Sequence, residues 1–220
     1  MITVACFLWS DPSRKRSYTF THEHVRILKR MVARNLSLPH RFVCITDETI
    51  EGIETVPIDW TKHVPGTCFV KLMLWRPDIG ELLGPRIFYA DLDCVVVGSL
   101  DPIVDRPEDV VLWHNPNFPA LGRAFYQTSF QLFTAGSRPE LWNDFDPQET
   151  PKWVNLRFGG AEQAWLSERL TWQEAYWNQI DGIYGAGRLG DRRPGVQTTL
   201  PKNARLVSFP GNREPSQAEV

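Results

Sequence analysis

Two carboxylates one residue apart, Asp91 and Asp93, stand inside an otherwise apolar run, Arg86-Ile87-Phe88-Tyr89-Ala90-Asp91-Leu92-Asp93-Cys94-Val95-Val96-Val97. Such a run reads as a buried strand that stops at the carboxylates and restarts after them. In extended backbone, positions two apart share a face, so both carboxylates are expected to point one way and Leu92 the other. Two like charges at the rim of an apolar core are costly unless something compensates them. Carboxylate oxygens are hard ligands, and Mg²⁺ or Mn²⁺ would compensate both. The competing explanation is a pair of carboxylates that cap backbone amides or pair with arginines, and the local residues leave both open.

The elements that would position this pair follow from periodicity. Ile2 to Trp9 reads as a strand. Thr21 can cap a helix with Glu23 in its first turn, and Val25, Leu28, Met31, Val32 and Leu36 then recur at helical spacing until Pro39. Phe42-Val43-Cys44-Ile45-Thr46 is a second buried strand. A β-α-β unit of this kind implies a right-handed crossover and an α/β sheet that binds ligands at the carboxyl ends of its strands. Leu8, Trp9 and Ser10 end the first strand and Asp47 ends the second, so all four are candidate nucleotide-binding positions. Each is equally compatible with an ordinary strand end or a turn carboxylate. Thr67 to Trp75 reads as a helix stopped by Pro77, and it carries Lys71, which by default would face water. Further strands are expected at Asp109 to Trp113, Phe130 to Thr134 and Arg205 to Phe209, and short helices at Pro139 to Phe145 and Ala161 to Leu170. Glu162 and Gln163 open the latter helix after Gly159-Gly160, which suits close approach of a ligand to backbone. Asp181 to Thr199 is rich in Gly and Arg and reads as loop, and residues 214–220 read as a polar, fraying tail.

Composition narrows the function classes. A chain of 220 residues, 42% hydrophobic, 12% aromatic and 23% charged, has enough apolar surface for one core. The formal net charge of −2 gives no global field for nucleic acid. Arg14-Lys15-Arg16 and the group Arg188, Arg192 and Arg193 are local basic clusters, read first as solvated loops and second as phosphate contacts. Arg14 and Arg16 are kept as candidate phosphate ligands. Cys6, Cys44, Cys68 and Cys94 form no Cys-x-x-Cys pair, which argues against a zinc site or a disulfide framework and fits a reducing cytoplasm. The N-terminal run is too short for a secretory signal, and no run reaches the roughly 18 apolar residues of a membrane span. Residues 8–17 contain no Gly-rich phosphate loop, which weighs against a nucleotidyltransferase.

The ordered set of motifs resembles a known family. Val70-Lys71-Leu72-Met73-Leu74-Trp75-Arg76-Pro77, then Phe88-Tyr89-Ala90-Asp91-Leu92-Asp93, then Gly98-Ser99-Leu100-Asp101-Pro102, looks like the nucleotide-sugar glycosyltransferases of the GT-A fold. In particular it resembles bacterial relatives of glycosyltransferase family 8. The β-α-β unit ending in Ile45-Thr46-Asp47 matches as well. Tyr126-Gln127-Thr128-Ser129-Phe130 resembles the acceptor-side strand, Ala161-Glu162-Gln163-Ala164-Trp165 the Gly-Asp-Gln helix start, and Val207-Ser208-Phe209-Pro210-Gly211 with Glu214-Pro215 the terminal Phe-His-Gly…Lys-Pro. Four positions depart from the pattern: Pro210 replaces a metal-binding His, Glu214 a Lys, Gln127 an Asn and Glu162 an Asp.

The resemblance implies an α/β chain with a single GT-A-type, Rossmann-like domain over residues 1–213, its mostly parallel central sheet flanked by helices. It implies transfer of a hexose from a nucleoside diphosphate sugar, UDP on family grounds, to a hydroxyl acceptor, with retention of configuration. Asp91 and Asp93 would hold Mn²⁺ or Mg²⁺, Asp93 the more directly. Lys71 would place a point charge near the diphosphate, and Glu162 and Gln163 would face the sugar. The acceptor classes are a glycan, a lipid-linked glycan or a modified nucleic acid base. A nucleotidyltransferase and a non-catalytic sugar-nucleotide-binding module are the alternatives.

Overall fold

The computed structural model describes residues 1–11, 13, 20–114, 125–158, 162–170, 173–186, 196–197 and 199–209. The chain opens with strand β1 (Ile2–Phe7), helix α1 (His22–Asn35) and strand β2 (His40–Ile45). β1 and β2 pair in parallel from Ile2↔His40 to Phe7↔Ile45, so the expected β-α-β unit is present. The N-cap of α1 is Thr21, as its sequence suggests. Its backbone N–H donates to His24 Nδ1 at 3.1 Å, while the His24 N–H donates to the Thr21 carbonyl at 3.0 Å. Strand β3 (Glu54–Val56) extends the parallel set.

Next come two 3₁₀ segments, Trp60–Lys62 and Phe69–Trp75, and the short helix α2 (Ile79–Leu83). The helix expected over 67–75 is therefore a tighter 3₁₀ element. It stops at Arg76, which takes φ −58° and ψ 140° because Pro77 disfavours helical backbone in the residue before it. Strand β4 (Arg86–Ala90) follows, then β5 (Cys94–Val96), α3 (Asp101–Val104), β6 (Val110–His114) and the long β7 (Tyr126–Thr134). The remainder comprises α4 (Glu140–Asn143), α5 (Thr150–Phe158), α6 (Glu162–Arg169), β8 (Ala175–Trp177), β9 (Ile183–Ala186), β10 (Val196–Gln197) and β11 (Leu206–Ser208).

The central sheet has seven strands in the order β3-β2-β1-β4-β7-β6-β8. Only the two pairings of β7, with β4 and with β6, are antiparallel. Both faces are covered. Along β1 and β4, Val4, Cys6, Phe88 and Ala90 pack toward α1, and Ala5, Phe7, Ile87 and Tyr89 pack toward Phe69–Trp75. This period-2 division of apolar residues between two cores is why these strands read as continuous hydrophobic runs.

A second sheet, β10-β9-β11-β5, takes the chain after the carboxylates. Here two expectations are corrected. Residues 181–199 are not all loop, because β9 and β10 lie within them. The carboxylate run does break as read, β4 ending at Ala90 and β5 starting at Cys94, but residues 91–93 bend and the two strands lie in different sheets. The rule that positions two apart share a face does not apply across that bend.

The Gly98-Ser99-Leu100-Asp101 turn fixes the exit from β5. A Cβ on Gly98 would lie 2.8 Å from the Ala204 carbonyl oxygen, so only glycine lets the turn pack against the β11 approach. The Asp101 carboxylate accepts from the Ser37 N–H at 2.8 Å and from the Ser37 hydroxyl at 2.6 Å, tying the turn to the end of α1.

Candidate active site

Because β1, β4 and β6 run parallel to one another, their carboxyl ends share one edge of the sheet, and the start of the antiparallel β7 lies at that same edge. Asp91 follows β4 there, its N–H donating to the Ser129 carbonyl at 2.9 Å. Lys71 reaches the edge from the Phe69–Trp75 segment. All seven residues of that segment are buried, so Lys71 has no water-facing side to occupy and is itself 5% exposed. Glu162 arrives from the first turn of α6, where a carboxylate is favoured by the helix N-terminus, and is 4% exposed.

These three side chains meet. Lys71 Nζ lies 2.6 Å from Asp91 Oδ1 and 3.3 Å from Glu162 Oε1. The Tyr89 hydroxyl donates to the same Asp91 oxygen, and Thr128 Oγ1 donates to the same Glu162 oxygen at 2.8 Å. The Lys71 ammonium also stands 5.5 Å from the Tyr89 ring centroid, a cation-π distance. Burial by itself pushes the Lys71 pKa down. The charges of Asp91 and Glu162 push it up by more, so Lys71 stays protonated beyond the ordinary lysine range. Burial, then the Asp91 charge, raises the Tyr89 phenol well above its ordinary value, which keeps it a hydrogen-bond donor.

Asp93 is buried at 7% exposure, and its carbonyl accepts from the Phe209 N–H at 2.7 Å. A buried contact between Ser208 Oγ and Ser129 Oγ, 3.3 Å, ties the same C-terminal segment to β7. The segment whose sequence resembles the family's terminal motif thus packs beside Asp93. Pro210 and Glu214, the departures in that motif, lie outside the described residues.

The other candidates occupy the same edge with separate partners. Leu8 is buried and its N–H donates to the Ile45 carbonyl at 3.0 Å, Trp9 is half-buried with its ring against Phe7, and Ser10 is exposed. Asp47 accepts from Trp60 Nε1–H at 2.8 Å and from the Ile58 N–H at 3.3 Å, and so anchors the segment after β3. Gln163 is half-buried, with its carbonyl accepting from Ser167 Oγ at 2.7 Å. Arg14, Arg16 and Gly159-Gly160 lie outside the described residues. Tyr89 and Thr128 were not singled out as site residues. Tyr89 sits two positions before Asp91 on one strand, a spacing that could have marked it, but Thr128 carries no such signal.

No known family pattern matches the sequence, and no curated protein matches it. Solved structures do match. A crystal structure of the galactosyltransferase LgtC in complex with donor and acceptor sugar analogues aligns with a TM-score of 0.62, covering 99% of this chain and 90% of that one at 12% identity. The fold is similar to that of LgtC. An active-site mutant of LgtC aligns with a TM-score of 0.59, covering 99% of this chain and 91% of that one, again at 12% identity. The GT-A architecture implied by the motifs is borne out. In this fold the lysine and carboxylate cluster lies at the carboxyl edge of β1, β4 and β6.

The oxygen donors at this edge are carboxylates, the type that suits a divalent cation. Asp91 Oδ1 already serves Lys71 and Tyr89, which leaves Oδ2, and Asp93 follows two residues later. Among the described residues, no group of three His, Cys, Asp or Glu could hold a metal. Two carboxylates nevertheless suit Mg²⁺ or Mn²⁺, ions that keep several water or phosphate ligands and need few from protein. As hard oxygen donors, Asp91 and Asp93 fit such an ion by chemical type.

Proposed function

We propose that this chain is a metal-dependent glycosyltransferase that moves a hexose from a nucleoside diphosphate sugar, with UDP the expected nucleotide, to a hydroxyl acceptor. The observation that carries the reading is the buried Lys71–Asp91–Glu162 cluster at the carboxyl edge of a sheet folded like that of LgtC.

The difficult step is departure of the diphosphate, because charge builds on it as the sugar-oxygen bond breaks. A divalent cation held by Asp93 and Asp91 Oδ2 would supply Lewis-acid neutralisation of that charge. Lys71 holds Asp91 in place and brings a fixed positive charge to the same edge. Glu162, held at Oε1 by Thr128 and Lys71, has Oε2 to accept from a sugar hydroxyl, and Gln163 offers an amide beside it. Retention is proposed on the resemblance: the acceptor oxygen attacks from the face the diphosphate leaves, and the departing phosphate takes its proton, so Glu162 serves charge and orientation and not as a nucleophile. The four free cysteines agree with action in a reducing compartment, the cytoplasm. No helix among the described residues is long and apolar enough to cross a membrane.

The reading is tested by incubating the full chain with a panel of UDP-hexoses, Mn²⁺ and simple glycoside acceptors, and measuring released UDP. Turnover with at least one donor is expected. No UDP release with any donor, together with no binding of UDP, would remove the proposal.

A further inference from the structure

A group of aromatic rings at the far side of the sheet has no part in the site described above. His114 ends β6, and its ring centroid lies 4.7 Å from that of Phe125 and 5.2 Å from that of Tyr176, with Phe125 and Tyr176 themselves 5.8 Å apart. Tyr176 on β8 is in register with Leu112 on β6, and His114 with Tyr126 on β7, so one face of the sheet carries them all. Their floor is fixed. Phe125 packs on the buried Tyr126 at 4.8 Å. The Tyr126 hydroxyl accepts from the Glu174 N–H at 3.0 Å and donates to the Glu174 carbonyl at 3.3 Å, two residues before Tyr176. β8 is the last strand of the central sheet, and Tyr176 is 44% exposed. The rings are thus held in place with aromatic surface open to solvent. Charge beside them is offset: burial pushes the His114 pKa down, so its ring is neutral at neutral pH, and Arg138 neutralises Glu174 through bonds of 2.6 and 2.9 Å.

We propose that His114, Phe125 and Tyr176 form a stacking platform for a sugar ring of the acceptor beyond the ring that reacts, so that the acceptor is a saccharide of at least two rings. The inference rests on the glycosyltransferase reading above and names the acceptor class for it. Position supports it. Thr128, which donates to Glu162, follows Tyr126 by two residues on β7, and two strand spacings, roughly 10 Å, separate β7 from β8. A saccharide that reacts beside Glu162 extends its further rings over such a distance. Chemistry supports it as well. A pyranose presents C–H bonds on its faces and hydroxyls at its rim. Those hydrogens carry partial positive charge and suit the negative face of an aromatic ring, and stacking removes apolar area of both partners from water. Rings fixed beforehand lose little freedom when the ligand binds. Nucleic acid bases also stack on aromatic side chains, but such sites add a positively charged groove for the backbone. A neutral His114 and an Arg138 already paired with Glu174 do not supply that groove.

The test is saturation-transfer NMR on the full chain with cellotriose, methyl β-glucoside and a short oligothymidylate as separate probes, and with UDP binding in Mn²⁺ measured in parallel. Cellotriose is chosen because its rings present C–H bonds on both faces. Wild-type protein is expected to bind cellotriose at least about tenfold more tightly than methyl β-glucoside. Tyr176→Ala, its fold checked by circular dichroism, should lose about tenfold in cellotriose affinity, and Tyr176→Phe should restore it. Wild-type protein that binds cellotriose no better than methyl β-glucoside overturns the inference, and this arm needs no variant to fold. A folded Tyr176→Ala that binds cellotriose as wild type does also overturns it, as does oligothymidylate binding that Tyr176→Ala abolishes. In each of these cases UDP binding leaves the glycosyltransferase reading standing. Failure of UDP to bind, with cellotriose still held, would overturn the glycosyltransferase reading and the acceptor role of the platform with it.

Discussion

Replacing Lys71 with Met tests whether the buried cluster is held by charge. The separations of 2.6 Å and 3.3 Å correspond to roughly 6 and 5 kcal/mol of attraction at an effective dielectric of about 20, before the cost of desolvating the ions is subtracted. That cost is several kcal/mol for each ion, so the net contribution is far smaller than the sum. The larger effect is what remains after the change. Glu162 at 5% and Asp91 at 18% side-chain exposure would be left without their cation. Breaking a buried pair from one side costs about 3–5 kcal/mol, which is the expected loss for Lys71→Met in the presence of chelator. Glu162→Gln keeps an acceptor for Thr128 and should cost about 1–2 kcal/mol. If the two act through each other, the double variant is less destabilised than the sum of the singles by at least about 1.5 kcal/mol. Urea unfolding followed by circular dichroism near neutral pH gives all four values. A Lys71→Met loss below about 1 kcal/mol, or singles that add within about 0.5 kcal/mol, would refute the reasoning.

Asp93→Ala should abolish transfer while circular dichroism stays native, and unfolding of this variant would instead mark the carboxylate as structural. Glu162→Gln is expected to slow turnover by less than Asp93→Ala does, as steady-state rates on the two proteins will show. Proton NMR of the first-formed product from an α-linked donor should show the α anomer; a β product would promote Glu162 to general base. Acid stability carries a separate signature. A hydrogen bond from Arg106 holds the Glu108 carboxyl at about 2, so the pair stabilises the fold above the ordinary value of 4.5 and loses that contribution as pH falls toward 2. Arg106→Ala should move the acid-unfolding midpoint upward, by a small amount because Glu108 is 36% exposed and solvent screens the pair. An unmoved midpoint would dismiss the contribution.

What the sequence makes legible follows from where its signals are local. The β1-α1-β2 unit is readable because each element is six residues or more and its apolar spacing is unambiguous. The end of β4 at the carboxylates and the restart at Cys94 are readable for the same reason, but the change of sheet between them is not, because it is decided by β11 pairing more than 100 residues later. β9 was hidden by Gly182 and Gly185, which lower the strand signal. Gly182 has φ +89°, and a Cβ there would collide with the Asn203 carbonyl, so its presence is a packing requirement. At the site, Asp91, Asp93 and Glu162 were nominated by residue type, position and resemblance. For Lys71 the sequence offers a charge near the diphosphate or a solvated face, and the structure removes the second, because this segment has no solvated face. Its partners lie 20 and 91 residues away, and no periodicity reports contacts at that range.

The central claim, a metal-assisted sugar-nucleotide site built on Asp93 and the Lys71–Asp91–Glu162 cluster, is tested most directly by calorimetric titration of UDP-glucose into the full chain. Three conditions suffice: wild type with Mn²⁺, wild type with chelator, and Asp93→Ala with Mn²⁺. Binding in the first and none in the other two is the predicted result. Equal binding in chelator, or in Asp93→Ala, would contradict the account.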